Sequence, residues 1–397
     1  MIPKKKLSDI AVIYNGNSIN KTVKQHKYMK DVPGWNYIGT KDIDVDGSVT
    51  YKTSVVIPFS ESKFRTAPAG TVFVCSEGGS AGKKTAIIKE EVCFGNKLFA
   101  IVNKDDLFIP QYIYYYTRYG AFLKQFKLLA STLMGGITAK NFGSIEIPLF
   151  RKEEQKRVVL RIEELFSSLD NAIETLNKTK KQLTVYRQAV LKEAFEGINT
   201  CAYKEITSLC DNIVDCPHST PQWVHNGKLC LRTTNFRRGY LDLSEKNYVS
   251  VETYNERITR LKPEPGDVLF SREGAILGLA CIIPSGLEIC MGQRMMLLRP
   301  SKEMNNRYLM HYLNSPISRQ LIVENVGGSA SPHINVGDIK RFKIPFVNRN
   351  KQEEIVSMVD ARLSLCDSIE ATVDNALAKA EAMRQSILKE AFEGRLV

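Results

Sequence analysis

Long apolar runs are missing from this 397-residue chain: nowhere do the roughly 18 consecutive apolar residues of a bilayer-spanning helix occur. Its start, MIPKKKLSDI, is charged and lacks the apolar stretch of a signal peptide. A soluble, cytoplasmic protein with no membrane partner is expected. The nine cysteines include no Cys-x-x-Cys, and their odd number argues against a disulfide framework. Cys210, Cys216, His218 and Cys230 fit no zinc spacing, and the stretch from Asp211 to Ser219 reads as a loop, so no metal is expected.

Catalytic signatures are missing as well. The five histidines (26, 218, 225, 311 and 333) form no His-Glu-x-x-His pattern, and no Asn-Pro-Pro-aromatic motif of an adenine methyltransferase occurs. The stretch Ser76 to Thr85 approaches a P-loop but has three residues, not four, between Gly78 and Gly82-Lys83, and Lys84 stands where Ser or Thr is needed. Its counterpart Ser271 to Leu279 has no lysine at all. A glycine-rich loop whose amides and lysines meet phosphates, or a plain hairpin loop, are the two readings left. The chain is expected to do no covalent chemistry and to hold no cofactor of its own; metal-dependent cutting by the purified chain would revive a stand-alone nuclease.

What is present is a repeat. LKEAFEG runs from Leu191 to Gly197 and again from Leu388 to Gly394, 197 residues later. Counting back without a gap, Arg187-Gln188 meets Arg384-Gln385, Asp170 meets Asp367, Gln155 meets Gln352, and Ile147-Pro148 meets Ile344-Pro345. One structural unit is therefore used twice. The implied order is a globular domain over 1–150, a helix over 151–197, a second globular domain over 198–348 and a second helix over 349–397.

The globular domains match in outline only. Tyr37 to Asp42 matches Cys230 to Asn235, Gly70 to Gly78 matches Gly266 to Gly274, and Gly95 to Ile101 matches Gly292 to Leu298. Strands are predicted at Trp35 to Ile38, Val49 to Val56, Gly70 to Cys75, Thr85 to Ile88 and Leu98 to Val102, then one helix from Pro110 to Leu129 weakened or bent at Gly120. The first domain ends at Gly135-Gly136 and the extended Ile145 to Pro148. The fold class is α+β, with two similar mixed α/β domains and two long helices.

In those helices the apolar residues alternate steps of four and three, the seam of a coiled coil. The first seam is Ile162, Phe166, Leu169, Ile173, Leu176, Lys180, Leu183, Arg187, Val190 and Ala194; the second is Val359, Leu363, Cys366, Glu370, Val373, Leu377, Ala380, Arg384, Ile387 and Ala391. Such stripes are buried most simply by packing on one another. Arg187, Arg384 and Glu370 are polar exceptions that either set register or extend to solvent. A helix of about 40 residues spans roughly 60 Å, one to two turns of duplex DNA, and would serve as a ruler.

The net charge of +12 sits on the globular domains. Lys plus Arg outnumber Asp plus Glu by 20 to 12 over 1–150 and by 18 to 14 over 198–348, against 10 to 8 and 7 to 9 in the helices. Two polyanion-binding modules on a neutral frame would carry charge this way. Candidate DNA contacts are Asn20, Lys21, Lys24, Lys27, Lys63, Arg65, Lys83 and Lys84 in the first domain, and Arg232, Asn235, Arg237, Arg238, Arg272 and Arg294 in the second. A coiled-coil scaffold whose globular domains bind proteins is the alternative from another class.

Together with Cys216-Pro217-His218-Ser219-Thr220-Pro221, the Ile-Pro before each helix start (Ile147-Pro148 and Ile344-Pro345) and the closing Arg395-Leu396-Val397, this architecture resembles the DNA-specificity subunit of type I restriction-modification systems over all 397 residues. The resemblance implies a non-catalytic prokaryotic protein with two target-recognition domains, each reading half of a bipartite site in double-stranded DNA. Antiparallel pairing of the helices would space the halves. Two methyltransferase (M) subunits holding S-adenosylmethionine would dock, and restriction (R) subunits would join for cleavage.

Overall fold

The computed structural model describes residues 2–29, 32–130, 136–196, 198, 202–326 and 332–396. Gly135, Gly197, Cys201 and Val397 of the sequence reading lie outside them. The chain forms two compact units whose boundaries cut through both long helices: Met1–Leu176 with Asn375–Val397, and Asn177–Asp374. Each unit therefore holds a globular domain, the first half of the helix that follows it and the last half of the other.

The first unit is built on two four-stranded sheets. One runs Ala11–Asn15, Leu98–Asn103, Val72–Cys75, Thr85–Ile87, antiparallel throughout; the other runs Val56–Pro58, Gly34–Ile38, Val92–Phe94, Thr66–Ala67 around a parallel pair. Lys4–Lys6 pairs with Glu146–Pro148, which places the first Ile-Pro on a strand. The second unit repeats this plan. Cys210–Asp215, Met295–Pro300, Val268–Ser271 and Ala280–Ile282 make the antiparallel sheet, Lys228–Leu231 and Ile289–Met291 the parallel pair, and Ala202–Glu205 pairs with Lys343–Phe346.

Three sequence expectations need correction. The strand expected over Val49 to Val56 is mostly loop, because Tyr51 and Ser54 adopt φ of 44° and 46°, and only Val56 belongs to a strand, Val56–Pro58. The buried Asp42 carboxylate pins it by accepting from the Gly39 and Thr53 amides at 2.8 and 2.9 Å. The loop expected after Asp211 is the strand Cys210–Asp215, on an edge of the antiparallel sheet. The single helix Pro110 to Leu129 is two, Pro110–Thr117 and Gly120–Leu129. Tyr119 between them is extended, and the freed Gly120 amide donates to Gln385 Oε1 at 3.0 Å.

The glycines of the P-loop-like stretch serve a hairpin. Gly82 has φ of 68° and Gly278 of 87°, each amide donating back to the preceding strand, at Cys75 O (2.9 Å) and Ser271 O (2.8 Å). A Cβ on either would lie within 3.0 Å of the helix above, against Phe126 or Ile322. At Gly82 and Gly278 the turn is closed by its own strand and helix.

The long helices run Lys152–Glu196 and Arg349–Phe392, and all twenty seam positions are buried or half-buried. Pairing is antiparallel inside the second unit, where Lys180 meets Asp374 (2.7 Å), Arg187 meets Asp367 (2.6 Å) and Glu370 (3.0 Å), and Glu193 meets Arg362 (2.8 Å). The first unit repeats one of these pairs at the equivalent residues: Arg384 bonds Asp170 and lies 5.1 Å from the Phe166 ring centroid. Arg187 and Arg384 thus face the partner helix and match its register, the first of the two roles open to them.

Each helix is keyed to a domain at both ends by repeated residues. Buried Gln155 accepts from the Ile109 amide (2.9 Å) and donates to Phe150 O (2.9 Å); buried Gln352 accepts from Asn305 (2.7 Å) and donates to Val347 O (2.9 Å). At the other end the phenylalanine of LKEAFEG is the plug. Phe392 packs edge-on to Tyr112 and Tyr116 (5.2 and 5.1 Å), and Phe195 to Tyr308 and Tyr312 (5.2 and 5.3 Å). Two of those tyrosines aim their hydroxyls at the Ile-Pro strands: Tyr112 donates to Pro148 O (2.7 Å) and Tyr308 to Pro345 O (2.8 Å). The echo is a core element that ties each helix end to a domain.

Candidate nucleic-acid interface

The same cleft opens in both domains where the parallel strand pair ends. In the first, the Gly95 amide donates to Ile38 O at 2.9 Å, and the loops after the two strands enclose about 230 Å³ lined by Ser18, Lys24, Tyr37, Thr40, Lys41 and Asn96 among others. In the second, the Gly292 amide donates to Leu231 O at 2.9 Å, and the equivalent loops enclose about 200 Å³ lined by Thr220, Trp223, Arg232, Thr233, Gln293 and Arg294. Gly292 cannot carry a side chain, because a Cβ would lie 2.3 Å from Leu231 O.

Cations line both clefts and rest on aromatic faces. Lys24 Nζ lies 4.4 Å from the Tyr37 centroid, and the Arg232 guanidinium 5.6 Å from that of Trp223. Burial lowers the Lys24 pKa against the pull of Asp42, while burial and then Asp42 push the Tyr37 hydroxyl up to about 12. Tyr37 therefore stays a neutral donor, held on Asn17 O at 2.8 Å. Arg294 sits at the rim with φ of 67°, a costly conformation for an L residue, and its side chain is 58% exposed.

Of the sequence candidates, Lys24, Arg232 and Arg294 line these clefts, and Lys84 braces one wall by donating to Thr40 O at 3.2 Å. Lys21, Lys27, Lys63 and Arg65 are exposed on the first domain. There Asn20 caps the short helix by accepting from Thr22, Lys27 and Lys63 share Glu61, and Arg65 donates to Asn15 O at 3.1 Å. Lys83 is exposed away from the cleft and donates to Gly79 O at 3.3 Å. Arg237 closes its own loop onto Asp242 (2.7 Å), and Arg238 is exposed, its pKa lowered by desolvation and then by Arg319.

Two candidates are corrected. Arg272 is buried and bound to Asp215 (2.8 Å) and Glu273 (2.7 Å), so its charge is neutralised inside the protein. Asn235 is buried too: its Oδ1 accepts from the Arg232 amide at 2.9 Å and its Nδ2 donates to Asp242 O and Glu245 O. It does for its loop what Asp42 does for the other. The reading by charge missed Lys41, Asn96, Trp223 and Gln293. The match of Gly95-Asn96-Lys97 to Gly292-Gln293-Arg294 carried that signal for two of them.

The cysteines lie in separate interiors: Cys210 in the core under the helices, Cys216 against the sheet core with Cys281, and Cys230 beside Cys290, its register partner on the parallel pair. Among the described residues no helix is long and apolar enough to cross a membrane.

Comparison with known proteins places this architecture. The chain is 25% identical over 343 residues to the EcoKI specificity subunit of Escherichia coli K12, and 26% identical over 343 residues to the StySPI specificity subunit of Salmonella potsdam; each alignment covers 80% of this chain and 73% of the relative. Among solved structures, one from a study of complex assembly and conformational transition of the type I R-M system aligns with a TM-score of 0.76 at 18% identity, over 100% of this chain and 99% of that one. The HsdS subunit from Thermoanaerobacter tengcongensis aligns with a TM-score of 0.59 at 17% identity, over 99% and 97%. The profile of the type I restriction modification DNA specificity domain matches residues 3–185 and 233–379. With two domains of one fold, each carrying the same cleft, and both regions matched, the chain belongs to the family of type I restriction-modification DNA-specificity domains.

Proposed function

We propose that the two clefts are the DNA-reading surfaces of this specificity subunit, each reading one half of a bipartite, asymmetric site. The observation that carries this is the recurrence of one cleft on one scaffold with altered side chains: Gly39, Asn96 and Lys97 in the first stand where Arg232, Gln293 and Arg294 stand in the second. A constant frame with changed polar linings suits a protein that reads two different half-sites. Lysines position on phosphate, whereas arginine and carboxamide side chains discriminate base edges.

In this reading the long helices space the half-sites and dock two M subunits, which hold S-adenosylmethionine and extrude the target adenine, and R subunits join for cleavage. This chain supplies recognition alone. The test is to co-express it with its M partner and sequence the methylome at single-molecule resolution. One defined bipartite motif is expected; methylation without such a motif, or none at all, sinks the reading. No gel shift of labelled DNA by the purified complex, as against a shift that competitor DNA abolishes, would favour the protein-binding scaffold instead.

Charge removal in one cleft gives a second expected result. Lys24→Ala and Lys41→Ala should each weaken binding to all duplexes alike and reduce the slope of log K against log salt by about 0.9 for each phosphate no longer neutralised. The measurement is a salt titration of the S–M complex by fluorescence anisotropy. An unchanged slope in both variants would remove the first cleft from the interface.

A further inference from the structure

One position carries the same chemistry in both clefts although its surroundings have changed. Asn96 follows Gly95, and Gln293 follows Gly292, at the equivalent turn beyond the parallel strand pair. Around it Gly39 has become Arg232 and Lys97 has become Arg294. A carboxamide remains in each domain, shorter in one and longer in the other.

Its donors and acceptors are partly engaged in a way that leaves a specific remainder. The Gln293 Nε2 donates to His218 O at 2.5 Å, which fixes one of its two hydrogens and orients the group. One N–H and the Oε1 acceptor are left unpaired among the described residues. Asn96 is held by its backbone, whose carbonyl accepts from Asn15 Nδ2 at 2.9 Å, while its exposed side chain has no hydrogen-bond partner among the described residues. Gln293 thus offers one donor beside one acceptor on a positioned planar group, and the exposed Asn96 carboxamide offers its donors and its acceptor unengaged among the described residues.

In the major groove only adenine answers that pair on a single base, with N7 accepting and N6–H donating. Guanine shows two acceptors there, cytosine only a donor and thymine only an acceptor. The left-handed backbone of Arg294 beside Gln293 is the kind of strain that persists where a loop is held in one presentation. We propose that Asn96 and Gln293 are specificity-determining residues, each reading one adenine in the half-site of its own domain. The inference rests on the reading that the clefts face DNA.

The experiment compares methylomes of the S–M complex with wild-type chain, Gln293→Ala, Gln293→Glu and Asn96→Ala. Gln293→Ala should relax one A·T position in one half-site, lowering its discrimination by about tenfold, and leave the other half-site as strict as before. Asn96→Ala should relax one A·T position in the opposite half-site. Gln293→Glu keeps the size but loses both the N–H held by His218 O and the donor to adenine N7, so it should relax the same A·T position as Gln293→Ala does. The unaffected half-site reports that the complex is folded. A wild-type complex without a bipartite motif would fail the underlying reading. A defined wild-type motif with no relaxed A·T position confined to one half-site in any of these variants, including loss of methylation in all of them, would overturn this inference alone.

Discussion

Phe392→Ala is expected to destabilise the first unit by about 3–5 kcal/mol, and Phe195→Ala the second by a similar amount. Both rings are almost wholly buried, at 4% and 2% exposure. Their removal strips apolar area from the core and leaves a void that the neighbouring tyrosines cannot collapse into. Tyr112 and Tyr308 are tied by their hydroxyls to Pro148 O and Pro345 O, so their rings cannot swing to fill it. The edge-on ring pairs add about 0.5–1.5 kcal/mol beyond area, which favours the upper part of the range.

Hydrogen exchange gives this prediction its specificity. Phe392→Ala should speed exchange in the helices Pro110–Thr117 and Gly120–Leu129 and in the last turns of Arg349–Phe392, while leaving Asn306–Leu313 protected. Phe195→Ala should do the reverse. A destabilisation under about 1 kcal/mol in urea unfolding, or a uniform rise in exchange, would show that the motif is a surface feature and not a plug.

That plug also shows what could be read in the sequence and what could not. The helices and their seam were legible because a heptad pattern reports burial directly, and all twenty seam positions are buried or half-buried. The role of Arg187 and Arg384 was not legible. Spacing along one helix does not say which residue of the other stands opposite, and the pairs to Asp367 and Asp170 exist only in the antiparallel register. The clefts were half legible. Charge found Lys24, Arg232 and Arg294 but also Arg272, since a charge says nothing about whether Asp215 and Glu273 wait for it inside. Asn96 and Gln293 escaped although Asn20 and Asn235 were candidates, because one sequence does not say which amide-bearing turn opens on a cleft.

Adding one heptad to each long helix is expected to change the methylated motif rather than merely weaken it, if the helices set the distance between half-sites as proposed. The insertions belong after Leu176 and after Asp374, where both helices pass from one compact unit to the other. Seven residues preserve the alternation of threes and fours, so Leu176 is still followed in phase by the seam that continues at Lys180, and Val373 by the one that continues at Leu377. They also leave every cross-helix pair named above inside its own unit: Arg384 with Asp170, Lys180 with Asp374, Arg187 with Asp367 and Glu370, and Glu193 with Arg362. Seven residues add about 10 Å of helix, which equals roughly three base pairs of duplex rise. The double insertion should therefore give a motif with both half-sites unchanged and about three more unspecified base pairs between them, and abolish methylation at the original sites. Insertion in the first helix alone leaves seven residues with no matching seam opposite them and should abolish methylation. A double-insertion variant that is folded and still methylates the original motif, spacer unchanged, would refute the ruler and leave the helices as a docking frame only.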